Sequence, residues 1–348
     1  MKRSEVPTPT NERSVLGFQR EELTGEMQRE RRKENIRYSG PKDEAFFAKY
    51  ANEHDQNNIA RLKKEKQMLD RLTKTGVTPK AGEFKIYPNE KRARLLIEQV
   101  PGTSLDRMDD DQREEFLKRK VEETIFATAD ALDKIHKKGI WLVDVNGGSF
   151  LISQRDNKVE THVVDFELAL DLDKSPQETR TRAEAYGHYL ARDFGLRFDD
   201  LEEPRRDFET GILYPSNGDF KKSEMRLWAL TLVRYILGQD DISTKVELAP
   251  KEKEKFDETK NKILPLLKKE IIGTLKGKTR DALTQENLEH ELSDRLEEEL
   301  LSITLNKKLR AKGVVVSQQV VSFLSRALNL ELKNRPSDFS KLIELQSR

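Results

Sequence analysis

The sequence predicts an α+β fold, with a small strand-rich N-terminal part followed by a large helical part that carries a helical insertion. Three observations support it. Up to about residue 101 the chain reads mostly as strand with one helix. Beyond that point the apolar positions follow helical spacing almost throughout. Within the helical part stands one strand pair, Phe150–Ser153 and His162–Val164, around the polar turn Gln154–Lys158. Asp144 lies just before this hairpin and Asp165 just after it. Aspartate is a poor strand former, so two of them bracketing a buried hairpin mark a candidate site.

A chain of 348 residues is long enough for two domains or one large two-lobed one. Lysine plus arginine number 64 against 63 acids, so a net charge of +1 gives no drive toward nucleic acid. The absence of cysteine excludes disulfides, thiolate metal sites and a thiol nucleophile. The five histidines are scattered and form no zinc-type pair. No apolar run is long enough to span a membrane, and MKRSEVPTPTNERS has no signal-peptide core, so a cytoplasmic chain is expected.

Residues 1–38 are polar, with a basic cluster at Arg29, Arg31, Arg32 and Lys33. They read as a disordered or helical extension, either a solvated tail or a docking arm for an acidic partner. Ala45–Tyr50 (AFFAKY) is the first strand, followed by a helix over about Asn57–Lys74 with Ile59, Leu62, Leu69 and Leu72 on one stripe. Glu65 falls on that stripe. A carboxylate on a buried face is costly unless paired, and Lys49 on the preceding strand is the nearest candidate cation. Phe84–Tyr87 and Arg94–Val100 form a hairpin across Pro88–Lys91, and Pro101-Gly102 ends it.

An amphipathic helix then spans about Asp111–Lys138, with Leu117, Val121, Ile125, Leu132 and Ile135 on one face and Gly139 as its terminator. After the two-aspartate hairpin the chain is irregular to about 222, with a short helix at 184–193. Met225–Leu237 is apolar nearly all round and reads as a buried central helix. Residues 241–312 are charged and helix-prone, an inserted helical hairpin that offers a surface to a protein partner. Ser317–Leu328 and Asp338–Leu345 are the closing helices. These boundaries give an N-terminal lobe over 39–100 and a C-terminal lobe over 101–348.

A strand lysine, a helix glutamate, an apolar strand leading into a Pro-Gly linker and two aspartates around a hairpin suit metal-assisted phosphoryl transfer. The lysine would hold nucleotide phosphates and the glutamate the lysine. One aspartate would take the proton of the attacking hydroxyl, and the other would bind Mg²⁺.

Over roughly residues 40–345 these motifs, in this order, resemble the protein kinase family. AFFAKY resembles the strand of the nucleotide lysine, implying Lys49. EKQML resembles the helix motif of its partner, implying Glu65. LLIEQVPGTSL looks like the interlobe hinge, implying Ile97 as gatekeeper and Glu98–Val100 as backbone contacts to adenine. HKKGIWLVDVNGGSFLI resembles the catalytic loop, implying Asp144 as catalytic base and Ser149 in the place of the second Mg²⁺ ligand. VVDFE resembles the metal motif, implying Asp165 on Mg²⁺. LSRALNLELKNRPSDFSKLIEL is similar to the closing helices, with Arg335 as the structural arginine. The resemblance implies a two-lobed kinase-like fold, ATP and Mg²⁺ as cofactors, and transfer of the γ-phosphate to a protein Ser/Thr hydroxyl. A small-molecule acceptor and an inactive pseudokinase scaffold are the alternatives.

The departures from the family pattern are specific. No glycine-rich phosphate loop precedes Lys49, where Gly40 is the only glycine in twenty residues. Leu142-Val143 stands in place of His-Arg, Ser149 in place of asparagine and Glu167 in place of glycine. Arg226 stands where an aspartate usually anchors the catalytic loop, and Arg335 has no Ala-Pro-Glu partner.

Overall fold

Burial alternates over AFFAK at the start of Ala45–Asn52, the longest strand of the chain's first sheet. The computed structural model describes residues 19–20, 37–39, 45–52, 56–108, 110–142, 144–171, 217–237, 261, 265, 285–329 and 335–346. It divides the chain into two compact units, 1–102 with 162–169, and 103–161 with 170–348. In this division Gly102 belongs to the first unit and Thr103 to the second. The segment 162–169, which carries Asp165, returns to the first unit.

In the first unit β1 (Gln19–Arg20), β2 (Arg37–Ser39), β3 (Ala45–Asn52), β4 (Ala81–Tyr87) and β5 (Arg92–Glu98) form one antiparallel sheet in the order β1-β2-β3-β5-β4. The sequence predicts a disordered or helical extension over 1–38, yet Gln19–Arg20 and Arg37–Ser39 are strands. The reason is an edge: Tyr38 pairs with Phe46 and Arg37 with Phe47, so β3 supplies a ladder that local composition does not reveal. The basic cluster at 29–33 lies outside the described residues.

Helix α1 (Gln56–Leu72) lies against β3 and β5 and buries Leu62, Met68, Leu69 and Leu72. It stops two residues before the expected Lys74. The hydroxyls of Thr73 and Thr75 donate to the carbonyls of Leu69 and Leu72, and Gly76 takes the left-handed turn at φ 71°. Val77 follows, and its carbonyl accepts the Val163 N–H at 2.8 Å. That bond ties 162–169 into this unit.

The second unit begins with β6 (Thr103–Ser104) and α2 (Asp110–His136). Val121, Ile125, Leu132 and Ile135 are buried along α2, and Gly139 turns left-handed at its end. β7 (Ile140–Trp141) precedes the hairpin of β8 (Phe150–Arg155) and β9 (Lys158–Val163). Its turn is shorter than the expected Gln154–Lys158. Asp156 and Asn157 both adopt positive φ, the two-residue geometry that matches strand twist, so each strand gains residues from the expected turn. β6 pairs with β8, and β10 (Leu170–Asp171) pairs with β7.

The central helix α3 (Asn217–Leu237) is buried nearly all round from Glu224 onward. α4 (Gln285–Ala311), the second half of the charged insert, packs against α3 and α5 (Gln318–Leu328). The rest of the insert apart from 261 and 265, and the short helix expected at 184–193, lie outside the described residues. Ser317 caps α5 and donates to Glu122 on α2 at 2.7 Å. α6 (Ser340–Gln346) begins two residues later than expected because Asp338 instead accepts from the Ser340 N–H. Arg335 Nε donates to the Asn329 carbonyl at 2.7 Å, a partner not evident from the sequence.

An aromatic cluster joins these helices. Trp228 on α3 meets Phe339 edge-on at 5.0 Å and Phe323 on α5 at 6.3 Å, while its Nε1 donates to Thr128 on α2 at 2.9 Å. Trp228→Ala removes the hub and its Nε1 donation to Thr128, whose hydroxyl still donates to the Thr124 carbonyl. The expected cost is about 3–5 kcal/mol, read as a loss of urea resistance by circular dichroism.

Candidate active site

Lys49 stands on β3 with its partner register opposite Leu95. The pleat sends its side chain to the face away from the Phe46, Ala48 and Leu96 cluster. There it meets Glu65 of α1, with Lys49 Nζ 2.9 Å from Glu65 Oε2. Glu65 is only 2 % exposed, so its charge depends on this ammonium. Burial pushes the Glu65 carboxyl above the usual carboxylate range, and Lys49 offsets part of that push. Burial alone would lower the Lys49 pKa. The carboxylates around it, Glu65 foremost, outweigh burial and hold it above the usual lysine value.

Two further carboxylates reach the same nitrogen: Asp165 Oδ1 lies at 3.3 Å and Glu167 Oε2 at 3.1 Å. Both residues belong to the 162–169 segment, and Phe166 between them is fully buried. Asp165 takes φ 67°, a left-handed conformation that aspartate tolerates better than most residues. Such outliers gather at functional sites. Both carboxylates keep a large exposed surface while sharing a lysine. Oxygen donors of this kind suit a hard cation such as Mg²⁺, which takes one or two carboxylates together with substrate phosphates. Among the described residues no group of three or more acidic or histidine side chains forms a metal cage.

Sequence reasoning assigned Glu167 no contact; its signal was a second acid two residues from Asp165. The hinge residues lie in this same unit. Ile97 is buried opposite Phe47. The Glu98 N–H donates to the Lys80 carbonyl at 2.9 Å, and its carboxylate accepts from the Lys80 N–H at 2.8 Å. Val100 follows the end of β5, half-buried.

Asp144 and Ser149 lie in the second unit, in a loop held from both ends. Asn146 Nδ2 donates to Asp144 Oδ1 at 3.0 Å, and Asn146 Oδ1 accepts from Gly148 N at 2.8 Å. Ser149 is buried. Its hydroxyl donates to the Asp144 carbonyl and accepts from the Asn146 N–H, each at 3.1 Å. Ser149 therefore serves its own loop as half of a capping box. Gly147 and Gly148 are there for room, since a Cβ on Gly147 would stand 3.2 Å from Asp106 Cβ and 3.2 Å from its backbone nitrogen.

The anchor sought at Arg226 is Glu224, two residues earlier on α3. Glu224 is fully buried, accepts from the Leu142 N–H at 2.8 Å and meets His136 Nε2 at 3.0 Å. Arg226 is buried on the same helix, where burial lowers its pKa with Arg234 adding to the effect. Farther along α3, Thr231 donates to the Val145 carbonyl at 3.2 Å. The signal for Glu224 was the one already used for Glu65, an acid on an otherwise apolar helix.

Two substitutions probe these anchors. Glu224→Ala leaves the Leu142 N–H and His136 without their buried acceptor, at a cost of about 2–4 kcal/mol in denaturant unfolding. Lys49→Met leaves Glu65 buried without its cation, which raises the Glu65 carboxyl further. The folded state then keeps a proton that the unfolded chain has released, so stability falls as pH rises through that window. Lys49→Met should therefore lose roughly 2–3 kcal/mol near pH 8 and distinctly less near pH 5, read by urea unfolding at each pH.

Residues 41–191, less than half of the chain, match the model of the lipopolysaccharide kinase (Kdo/WaaP) family. The matched span contains Lys49, Glu65, the hinge, Asp144, Ser149, Asp165 and Glu167. No curated protein matches the chain. The strand-rich first unit, the helical second unit and the Lys49–Glu65–Asp165 grouping are consistent with this match, which likens the chain to a divergent kinase-like domain.

Proposed function

We propose that this chain is an ATP- and Mg²⁺-dependent kinase that phosphorylates a hydroxyl of a sugar, as part of a lipopolysaccharide-like glycolipid or a related saccharide. The observation that carries the proposal is Lys49 fixed by the buried Glu65 beside the exposed Asp165. The acceptor class is drawn from the matched lipopolysaccharide kinase family. The protein Ser/Thr acceptor expected from the sequence receives no support from that match, and the sugar hydroxyl replaces it.

In this reading Lys49 binds phosphate oxygens of ATP and Glu65 keeps its ammonium in place. The backbone of Glu98–Val100 receives the base against Ile97. Asp165 is a carboxylate ligand to Mg²⁺, which when bound supplies charge neutralisation across the phosphates. Asp144 orients the acceptor hydroxyl and takes its proton as the new O–P bond forms, while the bond from the γ-phosphorus to the bridging oxygen breaks and ADP leaves. Asn146 orients the Asp144 carboxylate by its hydrogen bond. Ser149 supports the loop through its hydroxyl and stands in the place of a second Mg²⁺ ligand.

The test is radiolabelled phosphate transfer from Mg-ATP to lipopolysaccharide, to its isolated sugar core and to generic protein substrates. Label should enter the saccharide acceptors and not protein. Asp144→Ala should cut transfer by at least about 10²-fold, as loss of a general base does. Asp165→Ala should abolish the Mg²⁺-dependent part of ATP binding. Label in protein alone would return the protein Ser/Thr reading, and no transfer with unchanged ATP binding in Asp165→Ala would favour a pseudokinase.

A further inference from the structure

A lysine ammonium has three N–H donors. Three carboxylate oxygens stand within 3.3 Å of Lys49 Nζ: Glu65 Oε2, Glu167 Oε2 and Asp165 Oδ1. A phosphate oxygen approaching this nitrogen must compete with all three carboxylates for it. Glu65 is 2 % exposed and cannot leave without stranding a buried charge. Asp165 and Glu167 are 51 % and 39 % exposed, so water can take over their solvation at small cost. Three carboxylates against one ammonium also leave the cluster net negative, which repels phosphate and attracts a cation.

We propose that Glu167 is the residue that makes phosphate binding at Lys49 conditional on a divalent cation. It holds Lys49 while the cation is absent and releases it once the two exposed carboxylates are neutralised. This rests on the kinase reading for its ligand, ATP, and assigns Glu167 a positioning role through Lys49. The glutamate thus takes on a function that a glycine in its place could not have.

The experiment measures ATP affinity of the full chain with and without Mg²⁺, in wild type and Glu167→Gln. Glu167→Gln keeps the shape of an exposed side chain, so folding is not at issue. Wild type should bind ATP weakly without Mg²⁺ and much more tightly with it. Glu167→Gln should bind cation-free ATP about tenfold more tightly, the effect of one charge-assisted contact, and gain correspondingly less from Mg²⁺. Equal cation-free affinities in the two proteins overturn the proposal.

A second measurement needs no nucleotide. Acylation of Lys49 by an amine-reactive ester, followed by peptide mass spectrometry, reports how closely the carboxylates enclose its nitrogen. Mg²⁺ in wild type, and Glu167→Gln without Mg²⁺, should each speed labelling severalfold. Labelling indifferent to both overturns the proposal. Responsive labelling in a protein that never binds ATP sustains the Glu167 role and defeats the kinase reading instead.

Discussion

A carboxylate buried under a helix governs the first unit. Glu65 cannot be ionised where it lies without an ammonium beside it, and the only way to bring one there is a strand register that turns Lys49 toward α1. The sheet order, the packing of α1 on β3 and β5, and the early stop of that helix at Leu72 all serve this meeting. The Val163–Val77 bond then adds a segment with two more acids to the same lysine. A group that is expensive to bury has been made the fixed point of a polar cluster whose other members remain accessible.

The second unit repeats the device with different chemistry. Glu224 is also a buried acid on a helix, but its partners are a backbone N–H and a histidine rather than a lysine. It fixes one side of the Leu142–Ser149 loop while Thr231 fixes the other, and the capping box of Asn146 and Ser149 closes the far end. The Asp144 carboxylate is thereby held by the loop around it, with Asn146 as its immediate partner. Glycines at 147 and 148 let the Leu105–Arg107 turn come close, and a Cβ at 147 would crowd the Asp106 backbone at 3.2 Å.

The α+β class, the change of character near residue 101 and the Glu65–Lys49 pair were legible because each has a local signature. Periodicity exposes a charge on an apolar stripe, and burial then demands a partner within reach. Glu167 was not legible in that way, because its contact with Lys49 joins positions far apart in sequence and its neighbours are unremarkable. Glu224 had the same signature as Glu65 but was passed over when Arg226 was matched to the family pattern by position. Arg37–Ser39 forms a strand because β3 offers it an edge, and Gln19–Arg20 because Arg37–Ser39 then offers the next one, a tertiary effect that composition does not carry. The tight Asp156–Asn157 turn was visible in residue type but not in length, since strand ends are settled by pairing rather than by propensity.

The chain has two tryptophans, Trp141 on β7 and Trp228 on α3, both fully buried and both in the second unit. Intrinsic tryptophan emission therefore watches one unit and is blind to the other. If the first unit opens before the second, emission stays native-like while helix and strand signals have already begun to fall. A mismatch between fluorescence and circular dichroism would then record the order in which the two units come apart, with no label attached to the protein.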